Sequence, residues 1–257
     1  MKTFKNTINW QSTPLLTDLQ LASDAVCVVL FSASIIPKLL LQQPEQWLSP
    51  QEIKVLAKRK GQQQRNFLAS RYCFKQLIAQ HLQCELGEVS VAFNEKSQQL
   101  NAYFNESALP FSLSLSHKEE QLLLSLSLKN DVVAVDIENM TKQRAFFNIA
   151  DNAFNASEYL LLKEAVDPHF TFYQLWTIKE CLVKATNKTL ARVLALSAEN
   201  ECTEQKLKFC TFVKNSYIGS VLYSQDIDFK KIHFINVNKK PQLVSCGFLL
   251  MHKKSFS

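Results

Sequence analysis

The sequence predicts an α+β protein built as two lobes, and three observations carry that reading. Helical periodicity precedes strand-like alternation in the first half, and the same order returns in the second. The halves meet at a polar triplet, Lys129-Asn130-Asp131. With 257 residues, 47% of them hydrophobic and 20% charged, the chain has the size and composition of a soluble protein with a substantial core. Residues 1–129 are expected to form an N-terminal lobe and residues 130–257 a C-terminal lobe.

The elements follow in chain order. The apolar run Ala25–Phe31 reads as a buried strand and is far too short to span a bilayer. Ser49-Pro50 opens a helix through QEIKVLAKR, since serine caps and proline suits the first turn. A longer helix is expected from Gln63 to Leu82, where Phe67, Leu68, Phe74, Leu77 and Ile78 recur at helical spacing. Val89–Phe93 reads as a strand, and alternation resumes at Phe111. LLLSLSL and VVAVDIE, on either side of the polar triplet, read as a hairpin. Helices follow around Ser157–Lys163 and Thr171–Thr186. Strand-like runs come last, at Lys206–Val213, Tyr217–Tyr223, Lys231–Val237 and Gln242–Met251. No residue-level repeat and no low-complexity linker is visible.

Composition narrows the chemistry. There are only four glycines where average usage would give about eighteen, so neither a Gly-x-Gly-x-x-Gly turn nor a P-loop is present. A phosphate bound here would be held by side-chain cations or a metal. The seven cysteines are scattered without a Cys-x-x-Cys pair, which speaks against a zinc site or a disulfide framework and for a reducing cytosol. The opening MKTFKNTINWQ lacks the apolar core of a signal peptide, so a soluble cytoplasmic protein is expected, with no membrane. The net charge of +6 would steer an anionic cofactor or an acidic protein surface. Its densest cluster, Lys58-Arg59-Lys60, has no interleaved aromatics, so nucleic acid is not the expected partner.

Four groups of residues carry candidate chemistry. Asp136 and Glu138 end an apolar strand, two apart and therefore on one face. Acids emerging from a buried strand need a cation, and oxygen ligands suit magnesium or manganese. Trp176, Glu180 and Lys184 are spaced four apart on one helix face, with Lys179 alongside. A Glu–Lys pair on a solvated helix would be worth only some tenths of a kcal/mol, but this helix is too apolar to be solvated throughout. Ser116-His117 closes the strand beginning at Phe111, and its hydroxyl and imidazole suit phosphate oxygens. Arg65 and Arg71 lie on the long helix, and arginine recognises phosphate through its fork of donors.

The ordered set Arg65…Ser70-Arg71, Ser114-Leu115-Ser116-His117, Val135-Asp136-Ile137-Glu138, Phe154…Glu158 and Trp176-Thr177-Ile178-Lys179-Glu180…Lys184-Ala185 resembles the Sfp-type 4′-phosphopantetheinyl transferases over roughly residues 48–190. The resemblance implies a monomeric pseudodimer of two similar α+β lobes with the active site in the cleft between them. It implies transfer of the phosphopantetheine arm of coenzyme A to a serine of an apo acyl or peptidyl carrier protein, releasing adenosine 3′,5′-bisphosphate. It implies a metal, Mg2+ or Mn2+, on Asp136, Glu138 and Glu180. It further implies cofactor contacts from Arg65, Arg71, Ser116, His117, Asp136, Lys179 and Lys184. Lys184 would stabilise charge on the leaving phosphate, and Glu180 or Glu138, directly or through a metal-bound water, would take the serine proton; the residues do not choose between them. The chain departs from the family pattern in three places. Ala134 stands where a glycine is usual, no Gly-Lys-Pro follows Phe93, where Lys96 is the nearby cation, and Ala-Thr-Asn-Lys-Thr follows Lys184. Two other readings stay open: a different magnesium-dependent phosphotransfer enzyme, and a non-catalytic module binding carrier protein or coenzyme A. The stretch from Thr141 to Phe154, with Lys142, Arg144, Phe146 and Phe147, is a candidate surface for an acidic carrier.

Overall fold

In the computed structural model of the protein, residue 8 and residues 10–12, 25–36, 38–142 and 144–237 are described. The expected strand at Gln242–Met251 lies outside them. The fold is mixed α+β, with eight α-helices and two sheets among the described residues. In order the elements are β1 (Trp10–Ser12), β2 (Val26–Ser32), α1 (Lys38–Gln42), α2 (Pro50–Leu56), α3 (Gly61–Leu82), β3 (Val89–Asn94), β4 (Gln99–Phe104), β5 (Ser107–Ala108), β6 (Ser112–Lys118) and β7 (Gln121–Ser127). The second half supplies β8 (Val133–Asn139), α4 (Phe146–Ala153), α5 (Ala156–Glu164), α6 (Pro168–Thr186), α7 (Leu190–Ala195), α8 (Ala198–Glu204), β9 (Leu207–Lys214), β10 (Tyr217–Ser224) and β11 (Ile232–Asn236).

One sheet has eight strands, in the order β1-β11-β2-β7-β6-β4-β3 with β5 beside β4; the other has three, β8-β10-β9. Strand β11 pairs parallel with both β1 and β2, so the chain returns late to the sheet in which it began. The remaining pairings are antiparallel.

The hairpin expected at Lys129-Asn130-Asp131 does not form. Both edges of β7 are taken, by β2 and β6, while β8 pairs with β10 in the other sheet. Two apolar runs around a polar turn fit a hairpin or a step between sheets equally well, and here the turn makes the step. The outer edge of β8 is satisfied differently. Ser114 Oγ accepts the Val135 N–H at 3.1 Å and Ser116 Oγ accepts the Ile137 N–H at 3.3 Å. The alternating serines of β6 thus stand in for a neighbouring strand's carbonyls, leaving those buried amides paired.

Strand β8 has two occupied faces. Val133, Val135 and Ile137 enter a core with Val26, Val28, Leu30 and Leu123 of the large sheet. Ala134, on the opposite face, packs with Ile178, Cys181 and Leu182 of α6. Because strand side chains alternate, Asp136 and Glu138 must share the α6 side with Ala134. The apolar half of β8 buries it, and the other half delivers two carboxylates to a helix.

Candidate active site

Asp136 is buried and tightly held. Its Oδ1 accepts from Ser116 Oγ at 2.7 Å and from Lys184 Nζ at 3.0 Å, while Oδ2 is buried without a protein partner. Lys184 also donates to the Val135 carbonyl at 2.7 Å, so α6 is pinned to β8 at this point. Burial alone would lower the Lys184 pKa, but the carboxylates of Asp136 and Glu180 hold it above the usual lysine value. Glu138 Oε2 takes two cations, Lys118 Nζ at 2.6 Å and Arg144 at 3.4 Å. Glu180, one helical turn before Lys184, is half-buried; that burial, then repulsion from Asp136 and Glu138, raises its pKa against the opposing pull of Lys184 and Lys118. A carboxylate so placed is a stronger base than an ordinary glutamate.

His117 stands at the exposed end of β6. Partial desolvation, then the positive charges of Arg59, Lys184 and Lys118, lower its pKa. Its surroundings are therefore cationic. The next turn ties the halves of the molecule together. The Glu119 carboxylate accepts from Asn139 Nδ2 at 3.1 Å and Tyr217 OH at 2.8 Å, and the Glu119 carbonyl accepts from Asn66 Nδ2 of α3 at 2.8 Å.

The structure brings Asp136, Glu138, Glu180, Lys184, Ser116 and His117 to one place and turns two expected residues, Lys179 and Arg71, onto buried glutamates. Lys179 is 0% exposed, paired with Glu158 at 2.8 Å and donating to the carbonyls of Val193, Leu194 and Leu196. One residue before Glu180, it lies about 100° around the helix, so it faces α5 and α7. Arg71 is buried against Glu52, 3.6 Å away, with its guanidinium 4.4 Å above the Phe67 ring. Arg65 is exposed on α3 and donates to its own neighbour Gln62, at 2.7 Å for the shorter bond. Conversely, Arg59, Lys118 and Arg144 lie in the acid and imidazole cluster without having been singled out for it. Arg59 belongs to the densest basic run of the sequence, and Lys118 directly follows His117; Arg144 belongs to the stretch read as a carrier surface. Ser116 serves as a brace for Asp136 in this arrangement. Phe146 packs on Phe172 and His169, whereas Phe147 is 39% exposed.

The donors present fit a hard divalent cation. They are carboxylate oxygens, and one of them, Asp136 Oδ2, is buried and unpartnered. Among the described residues, however, no three carboxylate, imidazole or thiolate groups are gathered closely enough to hold an ion as they stand. Glu138 is instead turned to Lys118 and Arg144.

The region that frames this site also carries the similarity to known proteins. The family model of the 4′-phosphopantetheinyl transferase superfamily matches residues 132–220. That span runs from the start of β8 through α6 to β10 and contains both acids, Glu180 and Lys184. The resemblance to phosphopantetheinyl transferases read from the sequence is borne out by this match and by three relatives. The 4′-phosphopantetheinyl transferase HetI of Nostoc sp. is 27% identical over 132 residues, 50% of this chain and 54% of that protein. The 4′-phosphopantetheinyl transferase gsp of Aneurinibacillus migulanus is 32% identical over 91 residues, covering 33% and 37%. A Synechocystis sp. protein provisionally named for the same activity is 24% identical over 170 residues, covering 59% and 68%. The chain thus spans about half the length of the Nostoc relative. Among the described residues no helix is long and apolar enough to cross a membrane.

Proposed function

We propose that the chain is a magnesium-dependent phosphopantetheinyl transferase that moves the arm of coenzyme A to a serine of an apo acyl or peptidyl carrier protein. The observation that carries the proposal is the Asp136 carboxylate. It is braced by Ser116 and Lys184 through one oxygen and keeps the other buried and free, inside the segment matched by the family.

The reaction joins the carrier serine oxygen to the β-phosphorus of coenzyme A and breaks the bond from that phosphorus to the bridging oxygen. The serine proton must leave, and the electron pair departs with adenosine 3′,5′-bisphosphate. Asp136, Glu138 and Glu180 would hold Mg2+, with Mn2+ as a substitute, and the ion would supply charge neutralisation between the phosphates. Glu180 or Glu138, directly or through a water, would take the serine proton. Lys184, kept cationic by its carboxylate neighbours, stabilises charge on the leaving phosphate. His117, in the positive field of Arg59, offers a donor for the nucleotide phosphates. Lys142, Arg144 and the exposed Phe147 offer an acidic carrier both charge and apolar contact. A monomer with lobes at 1–129 and 130–257 belongs to the same reading.

Incubation with coenzyme A, Mg2+ and an apo carrier protein tests it. Intact mass should show the carrier heavier by one phosphopantetheine, with adenosine 3′,5′-bisphosphate formed in equal amount. Nucleotide breakdown without a carrier gain, or binding without turnover, would overturn it.

A further inference from the structure

We propose that Lys118 and Arg144 form a cationic latch on Glu138, competing with a divalent cation for that carboxylate. The proposal rests on reading the acid cluster as a metal–phosphate site. Both cations converge on a single oxygen, Glu138 Oε2, at 2.6 and 3.4 Å. The side chains are only 20%, 26% and 13% exposed for Lys118, Arg144 and Glu138, so water and salt screen this contact less than a surface pair. Arg144 is itself delivered to the site. Its guanidinium lies 5.8 Å above the Tyr173 ring, whose hydroxyl donates to the Lys142 carbonyl at 3.0 Å, docking the loop before α4 onto α6.

The two acids of β8 therefore differ. Asp136 Oδ1 is held by a hydroxyl and one ammonium, whereas Glu138 Oε2 carries two cations, whose charge opposes a divalent cation at that carboxylate. Once displaced, Lys118 and Arg144 are unpaired cations at the acid pair, Lys118 acting also on His117 together with Arg59 and Lys184. Such a cluster recognises a multiply charged phosphate. Divalent cation and phosphorylated nucleotide should therefore reinforce one another's binding, and equally in both directions.

Mn2+ titrations of nucleotide-free protein, followed by electron paramagnetic resonance, test the latch directly. Lys118→Met should bind Mn2+ roughly tenfold more tightly than wild type, the scale of removing one close opposite charge. That gain should vanish in the Glu138→Gln background. Lys142→Met removes the same charge from an exposed neighbour paired with Glu119, and should change affinity by less than about twofold because solvent screens it. Arg144→Met should act in the same direction as Lys118→Met, which keeps the test open if one variant fails to fold. Calorimetry with adenosine 3′,5′-bisphosphate should show mutual reinforcement with Mn2+ in wild type and its loss in Lys118→Met. An unchanged or weaker Mn2+ affinity in Lys118→Met, an equal gain in Lys142→Met, a gain that survives Glu138→Gln, or no Mn2+ binding by any variant would each overturn it. Carrier transfer without the tightening sinks the latch alone; tightening without transfer sinks only the proposed activity.

Discussion

Lys184 joins the two elements of the site through a single ammonium, on the Asp136 carboxylate and the Val135 carbonyl. If it stabilises charge only as the pyrophosphate breaks, Lys184→Ala should lower kcat and kcat/KM about equally, on the order of a hundredfold. Steady-state kinetics on the folded variant checks this, and a loss below about threefold would make Lys184 a brace and nothing more. Glu180 allows a test through stability. Its raised pKa means that the folded protein keeps this proton longer than the unfolded chain does. Stability attributable to Glu180 therefore falls as pH rises from its ordinary value of 4.5 through the raised folded value. Glu180→Gln escapes that loss. Its melting temperature should exceed that of wild type above this window, with the advantage shrinking as pH drops below it. A difference that does not vary with pH would contradict the placement of Glu180 in a field of acids.

At the scale of elements, the site depends on β8 and α6, and both were legible for simple reasons. A strand that alternates apolar residues with Asp136 and Glu138 can only bury one face and present the other, and four-residue spacing sets Glu180 and Lys184 together. What the sequence hid was the destination of neighbouring charges. Lys179 and Arg71 look like cofactor cations by type, yet each neutralises a buried glutamate. The device occurs twice. Ser49 caps α2 and Glu52 accepts from Lys75 of α3 at 3.1 Å and from Val91 N–H at 3.1 Å. Asn155 caps α5 and Glu158 accepts from Lys179 of α6 at 2.8 Å and from Ala198 N–H at 2.8 Å. No identity of residues between the halves announces this, because what recurs is a cap, an acid one turn later and a lysine on the next long helix. Short helices such as α7 and α8, six and seven residues long, gave too little periodicity to be read. Burial raises the Glu158 pKa and lowers that of Lys179, so desolvation works against both charges. Lys179→Met should therefore cost about 3–5 kcal/mol by leaving Glu158 unpaired, and Lys179→Met with Glu158→Gln should recover part of it, since the amide removes the buried charge and still accepts from Ala198 N–H. Chemical denaturation of the two variants checks the pair, and equal losses in both would refute it.

For the whole molecule, the step from β7 to β8 carries the chain from the large sheet to the small one, and β11 brings it back. The site lies along that step. Serines of β6 support β8 through Val135 and Ile137, and the Glu119 turn links α3 to β8 and β10. Neither sheet alone holds Asp136 in its observed environment, since Ser116 comes from one and Asp136 from the other. Arg71 pairs with Glu52 and lies over Phe67, so Arg71→Met should lower the melting temperature while leaving the KM for coenzyme A within about twofold. A KM rise well beyond that at unchanged stability would restore Arg71 to the cofactor site. Transfer of phosphopantetheine at the acid site of β8 and α6 stands or falls with Asp136. Wild type, Asp136→Ala and the nearly isosteric Asp136→Asn should be compared for intact-mass gain of an apo carrier with coenzyme A and Mg2+, with thermal melts confirming that each is folded. Wild type should convert the carrier quantitatively and neither variant above background; normal turnover by a folded Asp136 variant would rule out this site.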